Sequence, residues 1–239
     1  MKKTSTILAI GSGLFLSNAQ AEIESEFHVG YNSQYIFRGV DFGDDAFEYG
    51  LDFAGTCDCG LDWSAGIWGI SPDNDAGGAF DGNSDELDIY AAVSKTLGGT
   101  TVSLGFNAYT FDTAADDSEV FIGVAGNVYG LDAGLTAFFG TDGTFERQIL
   151  LEGNLGYSFG ITNTVSGNVG VTYGVIADDG AGIYSNGNGS AYFSANFSLD
   201  IILSDEMTLS PYVSVVDGAD RIGGVDEEIV AGASLSFSF

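Results

Sequence analysis

The stretch Glu227-Glu-Ile-Val-Ala-Gly-Ala-Ser-Leu-Ser-Phe-Ser-Phe239 decides the fold. Ile229, Ala231, Ala233, Leu235, Phe237 and Phe239 share one parity, while Val230, Gly232, Ser234, Ser236 and Ser238 share the other. Side chains alternate across a strand with period two, so this is a strand with one apolar face and one small, mostly polar face.

The same ruler, carried outward, marks twelve candidate strands. They cover roughly 26–38, 46–56, 60–69, 85–95, 100–111, 117–127, 130–139, 145–158, 162–175, 189–202, 206–216 and 227–239. Residues 22–239 thus divide into about 18 residues per strand and connection, which suits membrane strands of about 9–11 residues. Short connections fall near Thr56 to Gly60, Thr96 to Gly99, Val128 to Gly130, Gly160-Ile161 and Leu203 to Asp205. Longer, acidic ones fall at Val40 to Asp45, Ile70 to Ser84, Asp112 to Asp116, Gly140 to Thr144, Ile176 to Asn188 and Asp217 to Asp226. Short turns on one side and long loops on the other, with an even strand number, are the habit of outer-membrane barrels.

Charge follows the same parity. Phe47, Tyr49, Leu51 and Phe53 face one way and Glu48 and Asp52 the other. Leu61, Trp63 and Ile67 oppose Asp62; Leu87, Ile89 and Val93 oppose Asp88; Leu131 and Leu135 oppose Asp132; Ile149, Leu151 and Leu155 oppose Glu152. Charges of outward parity, Lys95, Arg147 and Glu227, lie near strand ends. Aromatics gather near strand ends too, with Tyr35, Phe37, Phe47, Phe138, Phe139 and Tyr173 toward the loops. Phe27, Phe53, Trp63, Tyr157 and Phe237 lie toward the turns, which predicts two interfacial girdles. A soluble β-sandwich also alternates, with the apolar face as its core. It needs no short–long rhythm, and its outer face usually carries more cations than this chain has.

Composition sets the compartment. Lys2 and Lys3, the apolar run Thr6 to Leu16 and the small-x-small site Ala19-Gln20-Ala21 predict a secretory signal peptide over 1–21. The barrel domain then occupies 22–239, with four cations against 34 acids, a net charge of −30. That charge excludes nucleic acid as a partner, because such binding neutralises phosphates. The 45% hydrophobic content argues against disorder. No run reaches the roughly 18 apolar residues of a membrane helix. A closed barrel is the remaining way across, since lipid offers no partner to a sheet edge.

Chemistry-bearing residues are few. Cys57 and Cys59 read as a local disulfide or a thiol pair in a turn. Two sulfurs without a nearby His cannot complete a structural zinc shell. His28 is the single histidine, of lumen parity, and predicts no catalytic cluster. Asp81, Asn83 and Asp85 begin a calcium-loop pattern that fails at Glu86 and Ala92. The chain is therefore expected to need no cofactor and to be no enzyme.

The C-terminal ending resembles the closing strand of bacterial outer-membrane barrels, in which the terminal aromatic belongs to an assembly signal. That resemblance implies the barrel-assembly machinery, outer-membrane lipid and lipopolysaccharide as partners. The first strand reads Tyr31-Asn-Ser-Gln-Tyr-Ile-Phe-Arg-Gly39, and Gly66-Ile-Trp-Gly69 and Glu86-Leu-Asp-Ile-Tyr90 follow. These stretches resemble the TorF-type porin family, although the proline common between its first two strands is missing at Ala46 to Gly50. The resemblance implies an outer-membrane barrel and a channel.

The reading is all-β: a transmembrane, antiparallel, up-and-down barrel of about twelve strands in the bacterial outer membrane. Its expected function is porin-like passive diffusion of small hydrophilic solutes. Glu48, Asp52, Asp62, Asp88, Asp132 and Glu152 are expected to line the pore and favour cations. Arg38, the lone inward cation, is expected near Glu48 and Asp52, fixing register or narrowing the pore. The alternative is a structural or adhesive barrel whose acidic loops bridge divalent ions.

Overall fold

The computed structural model describes residues 23–73, 85–112, 114–180, 188–218 and 224–239. The signal peptide expected over 1–21 lies outside these residues, as do residues 74–84 with Asp81 and Asn83 of the calcium-loop pattern.

Twelve strands form one closed antiparallel barrel in which every strand pairs with its neighbours in sequence. They are β1 (Glu24–Phe37), β2 (Val40–Thr56), β3 (Asp62–Asp73), β4 (Glu86–Leu97), β5 (Thr100–Phe111) and β6 (Asp117–Val128). Then follow β7 (Leu131–Asp142), β8 (Ile149–Gly160), β9 (Val165–Asp178), β10 (Gly189–Ile202), β11 (Met207–Asp217) and β12 (Glu228–Ser238). A single 3-10 turn, Gly143–Phe145, follows β7. The ring closes between β1 and β12 in a register from Glu26↔Ser238 to Asn32↔Gly232. A closed ring leaves no unpaired edge, which lipid could not satisfy. Among the described residues no helix is long and apolar enough to cross a membrane, and the crossing is made by strands.

Parity decides the two faces. Ile89, Leu104, Leu135, Leu155 and Val169 project outward and are exposed, forming an apolar exterior of the kind lipid solvates. Asn32, Asp52, Ser103, Asn107, Asp200, Ser210, Ser214 and Ser234 point inward and are buried. Inward glycines leave room for rings from adjacent strands. A Cβ on Gly66 would stand 2.5 Å from the Tyr90 hydroxyl oxygen, and one on Gly232 would stand 2.5 Å from the Tyr212 ring. Those rings therefore lie along the wall instead of filling the bore.

Two expectations are corrected. Val40 to Asp45 is no loop, because β2 begins at Val40 and the β1–β2 connection is only Arg38-Gly39. Arg38 (φ 50°) and Gly39 (φ 80°) both take positive φ, as a two-residue primed turn requires. Tyr35 and Phe138 leave the expected outer girdle: they are 5% and 2% exposed and face the interior. Phe37 goes with them, packing on Tyr109 with centroids 5.6 Å apart. Cys57 and Cys59 are joined as a disulfide in the β2–β3 turn.

Candidate functional site

The end of the barrel carrying the longer connections is closed by the chain's own first hairpin. β1 parts from β12 beyond Asn32↔Gly232 but stays paired to β2 up to Phe37↔Val40. The ladder shifts between Tyr35 and Ile36, where Phe42 is the extra residue on β2. A bulge of this kind bends the ribbon and increases its twist. The bend carries the tip inward, so that residues of both parities become buried: Tyr35, Ile36, Arg38 and Val40. Aromatic contacts line its course, Tyr35 with Trp68 at 5.7 Å and with Phe42 at 5.2 Å. On its other flank, Val225 N–H donates to Gly39 O at 3.0 Å, and Val40 bridges to Gly224.

At the tip, Arg38 reaches the wall opposite β1. Its Nη1 donates to Glu119 Oε2 at 3.0 Å and its Nη2 to Glu119 Oε1 at 2.8 Å. Its Nε lies 3.2 Å from Glu152 Oε1. Paired N–H donors against a carboxylate are the strong, directional form of this contact. The guanidinium carbon stands 4.4 Å from the Phe138 ring centroid, 4.8 Å from Phe37 and 5.7 Å from Phe145, within cation–π range. Glu119 also accepts from Asn107 Nδ2 at 3.0 Å and from the Tyr109 hydroxyl at 2.7 Å. Glu152 accepts from the Tyr192 hydroxyl at 2.6 Å. A buried ion pair repays its desolvation only when the remaining lone pairs are satisfied, and here neighbouring donors meet that condition.

The expectation that Arg38 sits beside Glu48 and Asp52 is therefore corrected: the inward bend takes it past β2's own carboxylates to β6 and β8. Of the expected lining residues, Glu152 alone touches it. Glu48 accepts from Asn32 Nδ2 at 3.1 Å. Asp52 lies 3.5 Å from His28 Nδ1 and accepts from the Tyr90 hydroxyl. Asp62 accepts from Thr56 at 2.7 Å and Asp132 from Asn127 at 3.0 Å, both beside the short turns. Asp88 lies in the closed half, with one carboxylate oxygen buried and lacking a hydrogen-bond partner among the described residues. The acids are thus spread along the bore and do not form one ring.

Glu119, Glu86, Asp117 and Asp200 are further lumen carboxylates absent from the expected set. Glu86 accepts from the Tyr35 hydroxyl at 2.8 Å. Asp200 accepts from Asn168 at 3.0 Å and Ser210 at 3.0 Å. Asp117 accepts the Thr144 hydroxyl at 2.5 Å and holds the 3-10 turn beneath the hairpin. Parity could have found Glu119, since Val120, Ile122 and Val124 face outward on the same strand. The bore is not filled throughout: inward-parity Asn154 and Asn196, near the middle of β8 and β10, are exposed, as is Asp132 beside the β6–β7 turn. No group of three or more His, Cys, Asp or Glu able to hold a metal occurs among the described residues.

A small cleft flanks the tip, lined by Phe37, Arg38, Val40, Phe42, Tyr109 and Phe145 among others.

The chain belongs to the Gcw_chp family of bacterial proteins of unknown function, whose match runs over residues 17–205. No curated protein matches it in sequence. In structure it is similar to the COG4313 outer membrane channel from Pseudomonas putida F1, with TM-score 0.62 and 11% identity over 97% of this chain and 100% of that one. It is also similar to the NanC porin, with TM-score 0.53 and 14% identity over 89% and 98% of the two chains. The KdgM porin in complex with disordered oligogalacturonate gives TM-score 0.51 and 11% identity over 90% and 99%. The likeness establishes the fold as a transmembrane barrel of the outer-membrane type.

Proposed function

We propose that this Gcw_chp-family barrel is a porin-like outer-membrane channel, passing small hydrophilic solutes by passive diffusion with a preference for cations. One observation carries the reading: a closed wall, apolar outside, encloses a polar bore in which inward Asp132, Asn154 and Asn196 stay exposed. A bore rich in carboxylates within low-dielectric walls focuses a negative potential. The resemblance of the first strand to TorF-type porins supports the same reading. Export through a leader at 1–21 belongs to it, as do lipopolysaccharide around the exterior and the barrel-assembly machinery. It assigns no catalytic role to any residue.

The test is a planar-bilayer recording of the refolded barrel under a salt gradient. Discrete current steps with a cation-selective reversal potential are expected. Silence from a folded, heat-resistant sample would overturn the reading.

A second reading has its own observation, the hairpin tip that fills the loop end. A barrel closed in this way could serve as a structural or adhesive element bridging divalent ions through its acidic loops. Permanent silence, together with calcium-dependent association of barrel-bearing vesicles, would favour it.

A further inference from the structure

The site that receives Arg38 is built almost wholly by other strands. β6 supplies Glu119, β8 supplies Glu152, β7 supplies Phe138, and the turn after β7 supplies Phe145. Asn107, Tyr109 and Tyr192 orient the two carboxylates from β5 and β10. Only Arg38 and Phe37 belong to the hairpin. A fork-shaped cation on a flexible stem thus lies in a pocket preformed by a rigid wall.

Among the described residues the wall sets two carboxylates against this one guanidinium. Glu119 and Glu152 both contact Arg38, at 2.8 and 3.2 Å. Glu152 retains some exposure where Glu119 has almost none, 15% against 2% of the side chain. Of the two, Glu152 is the carboxylate more accessible from the bore.

We propose that this pocket is a recognition site for guanidinium-bearing solutes, occupied in the closed state by the chain's own Arg38. The proposal rests on the channel reading and deepens it by naming a solute class. Two-pronged hydrogen bonding to a carboxylate, with an aromatic face against the plane, selects a guanidinium over a point-charge ammonium. An incoming guanidinium makes the wall contacts that Arg38 gives up, so its binding favours the hairpin-out, conducting state. A ligand shifts such an equilibrium only by its differential affinity for the two states, and the pocket is free only when the hairpin is out.

The test uses the full mature barrel as wild type, Arg38→Ala, Arg38→Gln and Arg38→Ala/Glu119→Gln, with methylguanidinium, methylammonium and N-methylurea as probes. Saturation-transfer NMR on detergent-solubilised barrel reads binding without reference to current. Arg38→Ala is expected to bind methylguanidinium at least tenfold more tightly than methylammonium, and N-methylurea not at all. The double variant is expected to lose that preference. In bilayers, Arg38→Ala is expected to conduct more often than wild type, and methylguanidinium is expected to raise the open fraction of wild type but not of Arg38→Ala. Equal binding of the two cations, or a preference unaffected by Glu119→Gln, would overturn the proposal while a conducting barrel keeps the channel reading intact. Silence in every variant would sink the channel reading, and the NMR titration would still decide the pocket. If Arg38→Ala does not fold, Arg38→Gln, which keeps the stem but not the charge, must show the same order of affinities.

Discussion

Arg38 and Glu119, 81 positions apart in the chain, are joined across the bore by two parallel hydrogen bonds of 3.0 and 2.8 Å. That contact ties the tip of the first hairpin to the opposite wall, and the docked position of the tip is expected to depend on it. Removing one member of a buried ion pair typically costs about 3–5 kcal/mol, because the other charge is left uncompensated. Glu119→Gln is therefore expected to loosen the tip while the wall persists. The Val225 amide, bonded to Gly39 O at 3.0 Å, reports on the docking. Its hydrogen exchange should quicken many-fold in Glu119→Gln, and an unchanged rate would show that other contacts hold the tip. Asp132→Asn, beside a distant turn, should leave that rate alone.

Gly39 makes a second, steric probe. A Cβ there would stand 2.6 Å from the Gly218 Cα and 2.7 Å from the Tyr192 Cβ, at a φ of +80° that side chains resist. Gly39→Ala should displace the tip from β10 and the end of β11, exposing residues 37–40 to protease while the heat-resistant barrel remains. Full protection of the tip would contradict the tight packing described.

Neutralising Glu48, Asp52, Asp62 and Asp88 together tests the electrostatics of the bore. The quadruple amide variant should shift the reversal potential toward zero in a salt gradient. A cation preference that survives unaltered would remove these four from the permeation path. Asp132, exposed at the open end, is the next candidate.

Leu104 lies near the middle of β5, outward and 58% exposed. A cation on the lipid face near the bilayer midplane costs about 2–4 kcal/mol. Leu104→Arg should lower unfolding stability in lipid vesicles by about that amount. Little or no effect would place that face away from lipid.

The Cys57–Cys59 bridge closes a loop with a sequence separation of only 2. Chain-entropy arguments give so small a loop about 1.5 kcal/mol. The turn also has backbone support, with Cys57 N–H to Leu61 O at 2.9 Å and Gly60 N–H to Cys57 O at 2.8 Å. The double Cys→Ser variant should fold and retain heat resistance, with a small drop in stability by denaturant titration.

The wall of this barrel was legible because its physics is local: parity separates Ile89 from Asp88 and Leu135 from Asp132 without knowledge of any neighbour. β5 and β10 fall where alternation places them, at Thr100–Phe111 and Gly189–Ile202. The closure of the bore was not legible. It depends on one extra residue, Phe42, which breaks parity in the ladder, and on Arg38-Gly39 adopting a primed turn without the usual Asn-Gly pair. Beyond the bulge, Tyr35 and Phe37 exchange a lipid-facing position for an interior one, so the period-two ruler misplaces them. Arg38's inward placement followed from its parity on the first strand, but its partners did not. Glu119 and Glu152 meet it only through a bend that sequence distance cannot convey.

The hairpin closes on itself through a two-residue turn, yet its tip is held by groups from β5 to β8, from β10 and from the segment after β11. Local pairings form before distant ones, whose loop-closure entropy must first be overcome. The ribbon can therefore zip early but has nothing to grip until most of the wall stands and the β1–β12 seam has joined. Docking of the tip is therefore expected to follow closure of the wall. In the channel reading, a barrel whose tip has not yet docked is expected to leak, and the docking of Arg38 is the step expected to narrow it.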